Sequence, residues 1–190
     1  MSTFRSPYSP DSALHETVKA LLSRPLPSLV PKAPWNAEIT KEIEQASAAE
    51  STSAFVTAVL HLLNDDLDRA HQLVQAREGN PTADYLHMLV HRREGDWSNT
   101  GYWIRRAGKH PIYDMLSTTI RTETDDPTIK GLVSEAEPWN PTRMLELCRQ
   151  ASSGKPDRET ADAVSRLSTL EIAAALDWCV QNPEEAMSAR

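Results

Sequence analysis

Apolar residues recur along most of the chain at intervals of three and four, which is the spacing of one face of a helix. The segment 55–63 is apolar nearly all round, as is typical of a helix at the centre of a core. No segment of useful length alternates apolar and polar residues in the manner of a strand. The pattern therefore predicts an all-α fold with no significant β-sheet.

Proline and short polar clusters divide the apolar pattern into separate helices. Four prolines between residues 25 and 34 predict an extended connector. Thr82 and Ser98 are the expected N-caps of the two central helices. The other helices are predicted over residues 13–23, 37–49, 52–63, 67–78, 112–120, 141–151, 157–167 and 169–181.

A weak internal repeat favours an arrangement of helical hairpins. A shift of 30 residues aligns His61 with His91 and Asp66 with Asp96, and both copies follow the order helix, acidic turn, helix. We therefore predict antiparallel helical hairpins stacked side by side. The predicted organisation is an extended N-terminal arm with one helix over 1–36, an all-α domain over 37–181 and a C-terminal tail over 182–190.

Length, cysteine content and charge narrow the class of protein. A chain of 190 residues is long enough for one domain with its own core, and its two cysteines lie in apolar helical segments. The N-terminus lacks a signal-peptide pattern, and no apolar run is long enough for a membrane span. The net charge of −7 disfavours binding to nucleic acids or membrane surfaces. We therefore expect a cytoplasmic protein that binds neither nucleic acid nor membranes.

The charge is unevenly distributed, because one central segment is basic. Residues 87–110 contain five arginine and lysine residues against two acids, a net charge of +3 that leaves −10 for the rest of the chain. A local positive field within an acidic protein favours a small anionic ligand, such as a carboxylate or a phosphate. The expected partner is therefore a small anionic organic molecule. The sequence does not identify that molecule or any cofactor.

Helical geometry places the candidate catalytic residues at one edge of the core. With about 100° of rotation per residue, His87, His91 and Glu94 share a face of the helix that starts at Thr82. We predict that one histidine serves as general base or acid and that Glu94 tunes it. Arg92 is expected to be solvated.

Residues on the neighbouring helices would complete a ligand pocket. Arg93 and Arg106 would hold the anion and Asn99 would orient it, while aromatic side chains supply stacking surfaces. Arg93 falls within the apolar arc, so it either pairs with a carboxylate or marks the inner end of a pocket. The residues assigned to ligand binding are His71, Arg93, Asn99, Tyr102, Trp103, Arg106 and His110.

Three other interpretations of the same residues remain open. The charged groups could form a structural salt-bridge network, or the chain could be a helical-repeat module that binds a protein partner without catalysis. The third is a zinc or iron enzyme, because His-x3-His places two imidazoles one turn apart and Glu94, His71 or His110 could complete the set. Nearby arginines disfavour a cation, so no residue is assigned as a metal ligand.

The segment 87–111 contains the pattern H-x3-HRRE-x-D-x2-N-x2-YW-x-R-x2-G-x-HP. In this pattern the chain resembles a helical family found in many bacteria and some fungi. The resemblance extends from about Phe55 to Cys179 and includes an upstream Asp-x2-His at 68–71. It implies where a site lies without naming its chemistry. This chain departs from the family pattern at Leu86, Gly95, Thr100 and Ile104, where the family has Trp, Pro, Ala and Phe.

Overall fold

A computed structural model describes residues 6–133, 138–154 and 156–183, and these residues form ten α-helices and no strand. The prediction of an all-α fold is therefore confirmed. Most of the predicted C-terminal tail lies outside the described residues. The helices are α1 (Leu14–Ser23), α2 (Ala37–Ala49), α3 (Ala54–Leu63), α4 (Leu67–Gln75), α5 (Pro81–Glu94), α6 (Trp97–Ala107), α7 (Ile112–Glu123), α8 (Pro127–Leu132), α9 (Pro141–Ser152) and α10 (Arg158–Gln181).

The two central helices begin slightly earlier than the sequence pattern predicts. Asn80, not Thr82, caps α5, because its side-chain oxygen accepts hydrogen bonds from two backbone N–H groups in the first turn. Asp96, not Ser98, caps α6 in the same way, accepting from the backbone N–H of Asn99. The expected caps at Thr82 and Ser98 were therefore wrong by two residues each.

The last helix is continuous, which corrects the prediction of two helices over 157–167 and 169–181. α10 extends over 24 residues without a break. The intervening Ser168 is almost completely buried and packs within the core instead of forming a turn. No glycine or proline interrupts this segment, so nothing in its chemistry stops the helix. The short helix α8 was not predicted from the sequence.

The core is built around α3 and α10, which pack against each other. Nearly every side chain of α3 is buried, as its continuous apolar surface predicts. α10 also contacts α7, α8 and α9, and α1 contributes Leu14, Val18 and Leu21 to the same core. Complete burial of one such side chain contributes roughly 1.5–3 kcal/mol.

Helices α4, α5 and α6 follow one another in space, with α5 packed between its two neighbours. Gly95 ends α5 with a positive φ of 79°, and α6 begins two residues later. This tight connection lets α6 pack against α5, and α4 also packs against α5. The residues assigned to a site from the sequence lie on these three helices or just beyond α6. No helix in the described part of the chain is long and apolar enough to cross a membrane.

Candidate functional site, a three-histidine cluster

Three histidines from two helices meet at the edge of the core. His87 and His91 are one turn apart on α5, and His71 reaches them from α4. Each ring offers one nitrogen, and these three nitrogens lie within 4.8 Å of one another. The Nε2 atoms of His71 and His87 are only 2.7 Å apart. Among the described residues, no other group of three His, Cys, Asp or Glu side chains has the spacing of a metal site.

Aromatic packing fixes the orientation of the rings. His87 stacks on Trp103 of α6 with ring centroids 3.9 Å apart and on His91 with centroids 4.8 Å apart. His71 meets both of these histidines edge-on. Such packing restricts the rotation of the two buried rings, His87 and His91. His71 is partly exposed whereas the other two histidines are buried, so the cluster is accessible from the side of His71.

Glu94 determines which nitrogen of His91 is available. One carboxylate oxygen of Glu94 lies 2.7 Å from Nδ1 of His91, so the Nδ1–H group donates a hydrogen bond to the carboxylate. In the neutral imidazole this hydrogen bond places the proton on Nδ1, so Nε2 is the nitrogen that can accept or coordinate. A carboxylate that holds the second nitrogen of a histidine is a common partner of metal-binding imidazoles.

The environment keeps His87 neutral. Burial, together with the nearby His71, His91 and Arg106, lowers the pKa of His87 to about 3. Neutral imidazole is the form that coordinates metals. Nδ1 of His87 is buried and makes no hydrogen bond within the described part of the structure. The ring therefore interacts with polar groups through Nε2, which faces His71.

Arg106 and Tyr102 lie beside the cluster on α6. The guanidinium of Arg106 packs over the Trp103 ring at 5.1 Å, and its Nε donates to Asp84 at 3.3 Å. Its Nη1 lies 3.3 Å from the hydroxyl of Tyr102, and both side chains remain partly exposed. The flank expected to approach His87, His91 and Glu94 carries Asn99, Arg106 and His110, and of these the structure places Arg106 near His87.

Two other predicted ligand residues have local structural contacts. Asn99 donates from its side-chain amide to Asp96 at 2.9 Å, within the first turn of α6. His110 stacks on Tyr85, contacts the hydroxyl of Thr82 at 3.1 Å and accepts from the backbone N–H of Ile112. Burial lowers the pKa of His110 to about 4. His110 is not a member of the three-histidine cluster.

The adjacent arginines of α5 lie in two separate buried ion pairs. Arg93 pairs with Asp65 and donates to the backbone carbonyl of Ser28 at 2.7 Å. Of the two alternatives expected for Arg93, the structure therefore shows pairing with a carboxylate. Arg92 pairs with Glu171 of α10 and is only 1% exposed. The expectation that Arg92 is solvated was therefore wrong. Its surroundings are apolar, and the Glu171 carboxylate supplies the compensating charge.

Glu171 and Asp65 are the charged residues that the sequence pattern missed. Glu171 is fully buried and also accepts from Tyr85 and from the Trp139 indole N–H at 3.1 Å. The buried ion pair of Glu171 could have been predicted from its position in the apolar segment Leu170–Leu176. An acid on a buried helix face needs a cation as a partner. Asp65 has a positive φ of 59°, a backbone conformation that the sequence pattern does not predict.

The fold and the site define an all-α protein that carries a compact cluster of three histidines on α4 and α5. The chain matches no protein family, no curated protein and no solved structure. What the cluster does must therefore be inferred from its own geometry and chemistry.

Proposed function

We propose that the protein binds a divalent transition-metal ion, with Zn²⁺ the best match, through His71, His87 and His91. One observation carries the proposal, namely three imidazole nitrogens from α4 and α5 that lie within 4.8 Å of one another. Zinc and related ions take neutral imidazole as a ligand, and a set of three histidines is an established zinc environment. The geometry thus favours the metal site over the other interpretations of these residues.

The spacing of the nitrogens suits tetrahedral coordination after small side-chain movements. Zinc–nitrogen bonds of about 2.0–2.1 Å place ligand nitrogens roughly 3.3 Å apart at the tetrahedral angle. The separation of 2.7 Å between His71 and His87 is shorter than this value, and the limit of 4.8 Å for the set exceeds it. A metal ion between the rings would widen the short contact and draw in the third nitrogen. Rotation of His71, which is partly exposed, would provide most of that movement.

Three protein ligands would leave one coordination position for water or for a ligand. Zinc sites with an open position are typically catalytic, whereas structural sites are closed by four protein ligands. A metal ion in such a site lowers the pKa of its bound water and polarises a bound carbonyl or phosphoryl group. Glu94 would hold His91 in the correct tautomer and add negative charge close to the metal.

The positive charge beside the cluster favours an anionic occupant of the open position. Arg106 is partly exposed and lies near enough to His87 to lower the pKa of that ring. Its guanidinium and the Tyr102 hydroxyl could donate to a carboxylate or phosphate that reaches the metal. The substrate or ligand would then be a small anionic organic molecule, held by the metal and Arg106 together.

Titration of the metal-free protein with Zn²⁺ and Co²⁺ tests the proposal. We expect one equivalent of Zn²⁺ by calorimetry and, with Co²⁺, the visible absorption bands of a four-coordinate site. His71→Ala removes the partly exposed ligand and should abolish both signals without unfolding the protein. His15→Gln is the matched control, because His15 lies on α1 and belongs to no such cluster. Equal binding by the wild type and His71→Ala, or no binding by either, would refute the site.

A further inference from the structure

A cavity lies between α7, α8 and α9, away from the three-histidine cluster. Its volume is about 390 Å³, within the range of roughly 300–1,000 Å³ that small-molecule sites occupy. Residues from all three helices line it, together with Trp139 just before α9. None of the three clustered histidines contributes to its lining, so its role is independent of the metal proposal.

The inner wall of this cavity is apolar. Ile120 of α7 and both Met144 and Leu147 of α9 present side chains that are at least nine-tenths buried. Trp139 adds an aromatic surface, and its indole N–H is already bonded to Glu171 at 3.1 Å. The wall therefore offers contact to hydrocarbon and leaves little capacity to bind a polar group.

The charged residues in the described lining are all basic. Arg121, Lys130 and Arg143 all line the cavity, and its described lining contains no carboxylate. Lys130 lies 3.3 Å from Asp125, which is fully exposed and does not line the cavity. Arg143 forms no ion pair within 4 Å with any residue that the structure describes. Three cations around an apolar wall stand out in a protein whose net charge is −7.

We propose that this cavity binds an amphipathic monoanion, specifically an alkyl carboxylate of medium chain length. The hydrocarbon chain would lie against Ile120, Met144 and Leu147, and burial of its surface would provide most of the affinity. The carboxylate would remain at the mouth, paired with Arg143 and within the field of the other two cations. A neutral molecule with the same chain would lack that pairing, and a cation would be repelled.

Calorimetric titration of the full chain with octanoate tests this proposal, with octan-1-ol as the neutral ligand of equal chain length. EDTA is included so that a metal at the histidine cluster cannot bind the carboxylate. The wild type should bind one octanoate per chain, at least tenfold more tightly than octan-1-ol. Arg143→Glu should weaken octanoate binding at least tenfold and leave octan-1-ol binding nearly unchanged.

Two further variants separate loss of the cavity from loss of the fold. Gly131 lines the cavity, has no positive φ, and a Cβ built there meets no atom within 4 Å. Gly131→Phe should therefore fill the cavity and block both ligands while the helical circular dichroism stays unchanged. Arg158→Glu makes the same charge change at an exposed site outside the cavity and should bind as the wild type does. Absence of octanoate binding to the wild type, or equal binding by Arg143→Glu and the wild type, would overturn the proposal.

Discussion

The Nε2 atom of His71 lies 2.7 Å from the Nε2 atom of His87. At this distance one nitrogen must donate a proton and the other must accept it, so the two rings cannot both be cations. The hydrogen bond joins α4 to α5 at the place where His91 also arrives. The proposed metal ion would replace that single shared proton with a bond to each of the three rings.

Glu94→Gln should weaken Zn²⁺ binding by about 10–100-fold while the protein keeps its fold. The glutamine oxygen can still accept from Nδ1 of His91, but the negative charge that makes the ring a stronger ligand is lost. Zinc calorimetry on the two proteins measures the difference. Glu78→Gln, an exposed acid beyond the end of α4, is the control and should bind zinc as the wild type does. Unchanged affinity in Glu94→Gln would mean that Glu94 does not support a metal ligand.

The ion pair between Arg92 and Glu171 should be costly to break from one side. Glu171→Gln leaves the Arg92 guanidinium buried without a compensating charge, and we expect a loss of about 3–5 kcal/mol in the free energy of unfolding. Glu44→Gln is the control, because its pair with Arg69 is about half exposed and should contribute at most about 1 kcal/mol.

Urea denaturation of both variants measures these losses. The double variant Arg92→Met with Glu171→Gln should recover much of the stability, because it removes both charges and the glutamine oxygen can still accept from Tyr85 and Trp139. Equal losses for Glu171→Gln and Glu44→Gln would show that burial does not determine the contribution of these pairs.

The sequence predicted the all-α class and several helix boundaries because those depend on local periodicity. α2 agrees at both ends, and Asn140 caps α9 with Pro141 at its first position as helix chemistry favours. The helix break predicted near Ser168 is absent, because this polar residue is buried in the core and does not form a turn. The stacking of hairpins stays a prediction.

The candidate site was predicted in part, since helical spacing places His87, His91 and Glu94 on one face. What spacing cannot give is the rotation of α5 relative to more distant helices. That rotation turns Arg92 toward α10 and Arg93 toward Asp65, so both arginines form ion pairs inside the core. Two of the five cations that suggested an anion pocket are thus paired with acids 28 and 79 residues away in the sequence.

Acid should destabilise the protein through His110. Its folded pKa is about 4 because the ring is buried, against about 6.5 in an unfolded chain. The unfolded state therefore binds the proton first as pH falls, so stability that is present above pH 6.5 is lost progressively toward pH 4. This single difference corresponds to roughly 3 kcal/mol.

Asp177 acts in the opposite direction, because burial raises its pKa to about 6 and its stabilising contribution grows as pH falls.

His110→Asn isolates the histidine contribution to this pH dependence. The asparagine oxygen can replace Nδ1 as acceptor for the Ile112 N–H, but it does not titrate. We expect the variant to lose stability at neutral pH and to show a smaller decline between pH 6.5 and 4 than the wild type. Chemical denaturation at a series of pH values gives the difference in the free energy of unfolding between the variant and the wild type. Asp177 is present in both proteins, so its contribution cancels from this difference. Parallel pH curves for the two proteins would assign the acid sensitivity to other groups.

Gly95 should be the least replaceable glycine of the central helices. Its φ of 79° lies in the left-handed region, and a Cβ there would lie 3.2 Å from a methyl carbon of Val30. Gly95→Ala should therefore lower the free energy of unfolding by about 1–2 kcal/mol through backbone strain alone, with more from the contact to Val30. Gly101→Ala is the matched control within α6, where a Cβ meets only ordinary contacts at 3.8 Å or more. Because alanine favours helix over glycine, that variant should gain up to about 1 kcal/mol. Thermal and urea unfolding of both variants measure these changes. A change of stability in the same direction for both substitutions would contradict the assignment of Gly95 as a strained end of the helix.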